Sequence, residues 1–285
     1  MMTQYFDRPT SPLILGHRGA RGEHLENGPV GLSRACQLSH HGLGGIEFDV
    51  QLTADGHLVI FHDDNLLRLA GRQSRIEQMT LKEIRQISIG SEPILALEDL
   101  LTYCPASISP LNSSTDLITS VKRGSDKQSS LFHCMMHFSH IELEVKTHQR
   151  TRYPNLVTAL ESSLLGTNIG QLPIVLTSFD TTLLAHLQRH TGLATIPRGL
   201  LVETPSMIDT LANTASMLGC CQVGVYHRLI TSQLIAQCQR SGLSMSAWTV
   251  NEISTAQKLI DMGVNVLITD YPTLFLQALK GAILN

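Results

Sequence analysis

Residues 246–270, SAWTVNEISTAQKLIDMGVNVLITD, decide the fold. Ser246 to Val250 reads as a short strand, Ile253 to Met262 as a helix and Val266 to Thr269 as a second strand. Gly263 follows the helix, where a residue at positive φ is needed. A strand, a helix and a strand in such quick succession form a crossover, and a crossover pairs its strands in parallel. The same rhythm runs back toward the N-terminus. Strands are expected at Leu13 to Leu15, Gly45 to Val50, Ile141 to Val145, Ile174 to Thr177, Gly199 to Val202 and Gln222 to Tyr226. Helices are expected at Pro29 to His40, Leu156 to Leu165, Thr182 to His190, Met207 to Met217 and Thr231 to Arg240, with Gly42, Gly192 and Gly242 placed like Gly263. About eight such repeats imply an α/β protein closed into a (β/α)8 TIM barrel.

The rhythm breaks twice. Between Thr53 and Leu101 an extra strand, Leu58 to Phe61, precedes a helix over Thr80 to Ile87 with Thr80 as cap and Glu83 three residues on. This is expected to be a small insertion after the second barrel strand. Residues 104–140 are rich in Ser, Asp, Lys and His, carry Pro105 and Pro110, and show no steady period. A connection that long is expected to be a flexible surface insertion. The domain reading is one barrel over residues 12–280 with inserted segments 53–101 and 104–140.

Several strands end in charge. His17-Arg18-Gly19 follows Leu13 to Leu15, Glu47 and Asp49 lie within the second strand, and Leu58 to Phe61 runs into His62-Asp63. Buried strands do not carry ionisable side chains at their ends without cause, so these residues are candidates for one polar site. Glu47 and Asp49 are two apart and point to the same face. Like charges held together repel unless a cation or a shared proton relieves them. An all-oxygen pair suits a hard ion such as Mg²⁺ or Ca²⁺ better than zinc. His17 and His62 can act as acid and base near neutrality, and Arg18 offers a planar fork that matches phosphate. In Ile141 to Lys146 the alternation sets Glu142, Glu144 and Lys146 on one face, so Glu144 can add a carboxylate and Lys146 a positive charge. Acid, base, metal and phosphate clamp together suggest attack at phosphorus.

These segments, in this order, resemble the glycerophosphodiester phosphodiesterase family. The resemblance rests on His17-Arg18-Gly19-Ala20, Leu25-Glu26-Asn27, Glu47 with Asp49, His62-Asp63 and Glu144 with Lys146. Ser178-Phe179-Asp180, Trp248-Thr249-Val250-Asn251 and Ile268-Thr269-Asp270-Tyr271-Pro272 extend it over residues 12 to 275. It implies a TIM barrel with a small inserted subdomain. It also implies hydrolysis of small-molecule glycerophosphodiesters to sn-glycerol 3-phosphate and an alcohol. One divalent cation, Mg²⁺ or Ca²⁺, would sit on Glu47, Asp49 and Glu144, with His17 and His62 sharing the acid and base work. Arg18 and Lys146 would bind the phosphate. Glu26 would orient a histidine or bind glycerol hydroxyls, and Trp248 would line the glycerol pocket or serve as a core aromatic. The chain departs from the family where Leu25-Glu26-Asn27-Gly28 replaces Pro-Glu-Asn-Thr.

Composition narrows the alternatives. A net charge of −3 gives no reason to expect nucleic acid, and no Lys-Arg run suggests a membrane patch. The N-terminus lacks the apolar run of a signal peptide, and no apolar stretch is long enough to span a bilayer. The six cysteines form no Cys-x-x-Cys pair or regular framework, so reduced thiols in a cytoplasmic protein are expected. Two other classes share the residue set: a sphingomyelinase D-like lyase acting on choline phospholipids, and a non-catalytic barrel that binds glycerophosphate compounds. Lipid access needs exposed apolar loops and usually secretion, and a binder has no need of an acid-base pair.

Overall fold

The computed structural model describes residues 12–104 and 130–279. Eleven strands are β1 (Leu13–His17), β2 (Gly45–Leu52), β3 (Leu58–Ile60), β4 (Ser88–Ile89), β5 (Glu92–Pro93), β6 (His140–Val145), β7 (Ile174–Ser178), β8 (Arg198–Val202), β9 (Gln222–Tyr226), β10 (Ser244–Trp248) and β11 (Val266–Thr269). Their order in the main sheet is β1-β11-β10-β9-β8-β7-β6-β2-β3, and β1 also pairs with β2. The eight strands other than β3, β4 and β5 thus close a parallel barrel, as the sequence predicts, and β3 adds an antiparallel edge to β2.

The helices are α1 (Pro29–Ser39), α2 (Leu67–Ala70), α3 (Leu81–Ile84), α4 (Leu131–Met135), α5 (Tyr153–Leu165), α6 (Thr181–Arg189), α7 (Leu211–Met217), α8 (Ser232–Arg240), α9 (Ile253–Asp261) and α10 (Pro272–Ala278). The outward faces of the strands and the inward faces of the longer helices share one hydrophobic core, with Phe48, Leu143, Val223 and Phe275 fully buried. Inside the barrel, Leu15, Val266 and Ile268 cluster with Leu13 and Trp248. Facing them is a polar layer in which Gln222 Nε2 donates to Glu142 Oε1 (2.7 Å).

Gly42, Gly242 and Gly263 have the expected positive φ. Gly192 does not: its φ is −77°, and it opens the 3-10 turn Leu193–Thr195. A Cβ there would come 2.5 Å from Cδ1 of Leu165, an exposed side chain that can shift. The expected helix over Met207 to Met217 divides into a 3-10 turn, Pro205–Thr210, and α7.

The inserted segment between Thr53 and Leu101 has its own small core of Val59, Phe61, Leu66, Ile76, Ile84 and Ile94. Thr80 and Glu83 form the expected capping box, but α3 is a single turn and does not run to Ile87. The flexible insertion expected over 104–140 needs correction at its C-terminal part. Ser130 caps α4, and Leu131, Phe132, Met135 and Phe138 pack into the main core. Scattered apolar residues among Ser and His gave no period, yet α1 and the barrel wall bury them. Residues 105–129 of that expectation lie outside the described residues.

Candidate active site

At the C-terminal end of the barrel, β2 supplies Glu47 and Asp49 and β6 supplies Glu144 and Lys146, with Asp49 and Glu144 in register across the two strands. This is the face on which TIM barrels build their sites. Oxygens of Glu47, Asp49 and Glu144 lie within 4.8 Å of one another, and all three residues are buried. Burial, with Asp49 and Glu144 beside it, pushes the Glu47 carboxyl well above the ordinary range. Burial also pushes Glu144 up to about 7, against the pull of Lys146. Burial acts the same way on Asp49, but Lys146, Arg18, His62 and the Asn27 amide outweigh it and hold that carboxyl low. Lys146 Nζ meets Glu144 Oε1 at 2.5 Å and Asp49 Oδ1 at 3.0 Å. Three buried carboxylates whose repulsion Lys146 and Arg18 only partly relieve, with Glu47 and Glu144 still pushed up, are a donor set that fits a hard divalent cation.

The turn after β1 aims the next groups. Arg18 (φ 48°) and Gly19 (φ 86°) both take left-handed conformations. A Cβ on Gly19 would strike the backbone of Gly31 at 2.8 Å, so only glycine lets this turn pack on α1. The turn points Arg18 N at Glu47 Oε2 (3.0 Å) and brings Arg18 Nε within 3.4 Å of Asp49 Oδ2. Asn27, also left-handed (φ 57°), donates from Nδ2 to Asp49 Oδ2 (2.8 Å) and accepts from the Asp49 backbone.

Both histidines flank this floor, and each has an aspartate on Nδ1. His17 Nδ1 pairs with Asp270 Oδ1 at 2.6 Å, while its Nε2 lies 3.7 Å from Glu47 Oε2. Asp270 is held in turn by Asn251, whose Nδ2 donates to Oδ2 at 2.8 Å. His62 Nδ1 pairs with Asp63 Oδ1 at 2.8 Å, and Arg68 grips Asp63 through Nε (2.7 Å) and Nη2 (3.0 Å). Gln51 Nε2 donates to the carbonyls of Phe61 and Asp63, fixing the loop that carries His62. Burial pulls both imidazoles down from the ordinary histidine value, against the nearby carboxylates, and each Nε2 is free of the aspartate that holds Nδ1.

Glu26, expected to orient a histidine or bind glycerol hydroxyls, is held among arginines beside His62. Its carboxylate takes hydrogen bonds from Arg18 Nη1 (2.7 Å), Arg21 Nε (3.0 Å) and both Arg68 Nη atoms (2.9 and 2.5 Å). Burial opposes the charge, but Arg68 and Arg18 prevail and bring Glu26 down to about 2. One of its oxygens lies within 4.8 Å of a His62 ring nitrogen, and Arg68 links it to Asp63, the partner of that histidine. Trp248 is half-buried and forms a wall with Phe179 (5.5 Å, edge to face) and Tyr226 (5.8 Å); its indole Nε1 has no hydrogen-bond partner among the described residues. Asp63, Asn251 and Asp270 belong to segments singled out in the sequence, but nothing there signalled their histidine or histidine-anchoring roles. Arg68 and Gln51 carried no signal at all.

A parallel barrel that gathers three buried carboxylates, Arg18, Lys146 and two histidines at its C-terminal mouth is an enzyme-like site whose carboxylates could hold a cation. The comparisons give the family. The family model of the glycerophosphoryl diester phosphodiesterase family matches residues 17–274. The chain belongs to that family and is an enzyme of it. It is 25% identical to a glycerophosphodiester phosphodiesterase of Caldanaerobacter subterraneus subsp. tengcongensis, over 91% of this chain and 94% of that one. It is 23% identical to one of Bacillus subtilis, over 96% and 88%. Its fold superposes on a phosphodiesterase of Oleispira antarctica solved in complex with the product sn-glycerol-3-phosphate, with a TM-score of 0.73, 23% identity and coverage of 95% and 97%.

Proposed function

We propose that residues 12–280 form one catalytic domain that hydrolyses glycerophosphodiesters to sn-glycerol 3-phosphate and the head-group alcohol. The observation that carries this reading is the pair of histidines, each held by its own aspartate, flanking a floor of three carboxylates. A binding protein gains nothing from two imidazoles each oriented by an aspartate; a phosphodiesterase needs a proton acceptor and a proton donor on opposite oxygens.

Glu47, Asp49 and Glu144 would hold one divalent cation, Mg²⁺ or Ca²⁺, which when bound supplies Lewis-acid neutralisation of the phosphate. Arg18 and Lys146 would face the remaining phosphate oxygens and stabilise the charge that builds as the phosphorus gains a fifth oxygen. One of His17 and His62 takes the proton from the attacking hydroxyl at Nε2. The other, entering the step as an imidazolium, gives its Nε2 proton to the alcohol oxygen as that oxygen's bond to phosphorus breaks. Asp270 and Asp63 hold these imidazoles in the tautomer that leaves Nε2 for substrate and favour the cation formed midway. Trp248, with Phe179 and Tyr226, would line the pocket beside the phosphate.

The direct test is an assay coupling released sn-glycerol 3-phosphate to its dehydrogenase, with purified protein, Mg²⁺ or Ca²⁺ and glycerophosphoethanolamine. Stoichiometric release of glycerol phosphate and ethanolamine is expected. Release of ethanolamine with a persistent cyclic phosphate, or no release with either ion, would refute the hydrolase assignment.

A further inference from the structure

From the floor of the site a groove of about 980 Å³ runs outward between the inserted segment and the loop after β6. Lys146 and His62 border its inner end, and Arg68, Arg75, His148 and Arg150 continue along it. We propose that this groove is the head-group subsite and that it selects head groups carrying an anion, a carboxylate or a second phosphate, over cationic ones such as choline. The inference rests on the phosphodiesterase reading above.

Size assigns the groove to the head group. A glycerol arm is small, whereas the head group is the variable arm and needs an open end. Charge assigns its character. The lining carries Arg68, Arg75, Lys146 and Arg150 against Asp63 and Asp64. Glu77, outside the lining, is shared by several cations: its Oε1 accepts from Arg75 Nε (3.3 Å) and Arg150 Nε (2.9 Å), and its Oε2 lies 3.2 Å from His148 Nε2. Asp64 Oδ2 also accepts from Arg75 Nη2 at 2.7 Å, so among the described residues Arg75 is held by two carboxylates while Arg150 is held by Glu77 alone. The Arg150 side chain remains 60% exposed and that of Arg68 43%.

An anion on the head group can take a charge-assisted N–H bond from the exposed Arg150 guanidinium, whose Nε and Nη2 rest on Glu77. A quaternary ammonium binds on aromatic faces, and among the described residues the groove lining has no aromatic ring but histidine. The rings of Phe179, Tyr226 and Trp248 lie instead at the ends of β7, β9 and β10, away from this groove.

The experiment compares kcat/KM on two matched pairs with the metal-loaded full chain. Glycerophosphoserine and glycerophosphoethanolamine differ by a carboxylate. Glycerophosphoglycerol phosphate and glycerophosphoglycerol differ by a phosphate. The anion-bearing member should be favoured about tenfold in at least one pair, mainly through KM, as one charge-assisted contact would supply. That ratio should shrink in high salt and approach one in Arg150→Gln. Arg150 is largely exposed, so this variant should keep the fold; Arg150→Glu should invert the ratio. Equal kcat/KM within both pairs, or a preference that survives both variants, overturns the head-group proposal while leaving hydrolysis intact. Release from none of the four overturns the phosphodiesterase reading and this proposal with it.

Discussion

Replacing Glu26 by glutamine removes one charge from a junction where Arg18, Arg21 and Arg68 converge. Glu26 falls from an ordinary 4.5 to about 2 in the folded protein. At 1.36 kcal/mol per pH unit this sets an upper bound of about 3 kcal/mol of stability. Arg21 and Arg68 are partly exposed, so solvent screens their share, and about 2 kcal/mol is expected for Glu26→Gln at pH 7. The sign follows from the depressed value. The contribution is fully present above 4.5 and is lost as pH falls through about 2, so wild type and variant should converge on acidification. Urea unfolding in EDTA at pH 7 and pH 3.5 measures both terms. A difference below about 0.5 kcal/mol at pH 7, or one as large at pH 3.5 as at pH 7, would refute the reasoning. Turnover should also fall, because Arg68 loses the anchor that sets its grip on Asp63 and His62.

Chelation with EDTA should abolish activity, and Mg²⁺ or Ca²⁺ should restore it; Glu144→Gln should raise the metal concentration needed for half-maximal rate. Full turnover after exhaustive chelation would dismiss the carboxylate cluster as a metal site. His17→Ala and His62→Ala should each lower kcat by ~10²-fold or more. If the two act as a unit, the double variant should fall little below the worse single one, which a full kinetic comparison tests. Exchange of residues 106–128 for a short Gly-Ser linker should change stability by about 1 kcal/mol or less and spare turnover on a small substrate, since loop length costs entropy only logarithmically. Leu131→Ala, a few residues on, should cost 2–5 kcal/mol in the same denaturation assay because that side chain is fully buried.

All eight barrel strands and the carboxylate floor were legible in the chain, because both are written in local periods. Alternation along a strand tells which residues share a face, so Glu47 with Asp49 and Glu144 with Lys146 needed no tertiary information. The helix after each strand forces parallel pairing, and about eight repeats force closure. The inserted segment was legible as a break in that rhythm, and its capping box as a short motif. The partners that tune each group were not legible, because they come from distant segments. Asp270 reaches His17 only once β11 pairs with β1. Arg68 meets Glu26 and Asp63 only when the inserted segment folds back over the first turn. Leu131 and Phe138 become core only when α4 docks on α1. Sequence fixes which face of a local element a side chain occupies. Which charges meet across the barrel mouth, and so which imidazole is oriented and which carboxyl is held low, is decided by closure of the sheet.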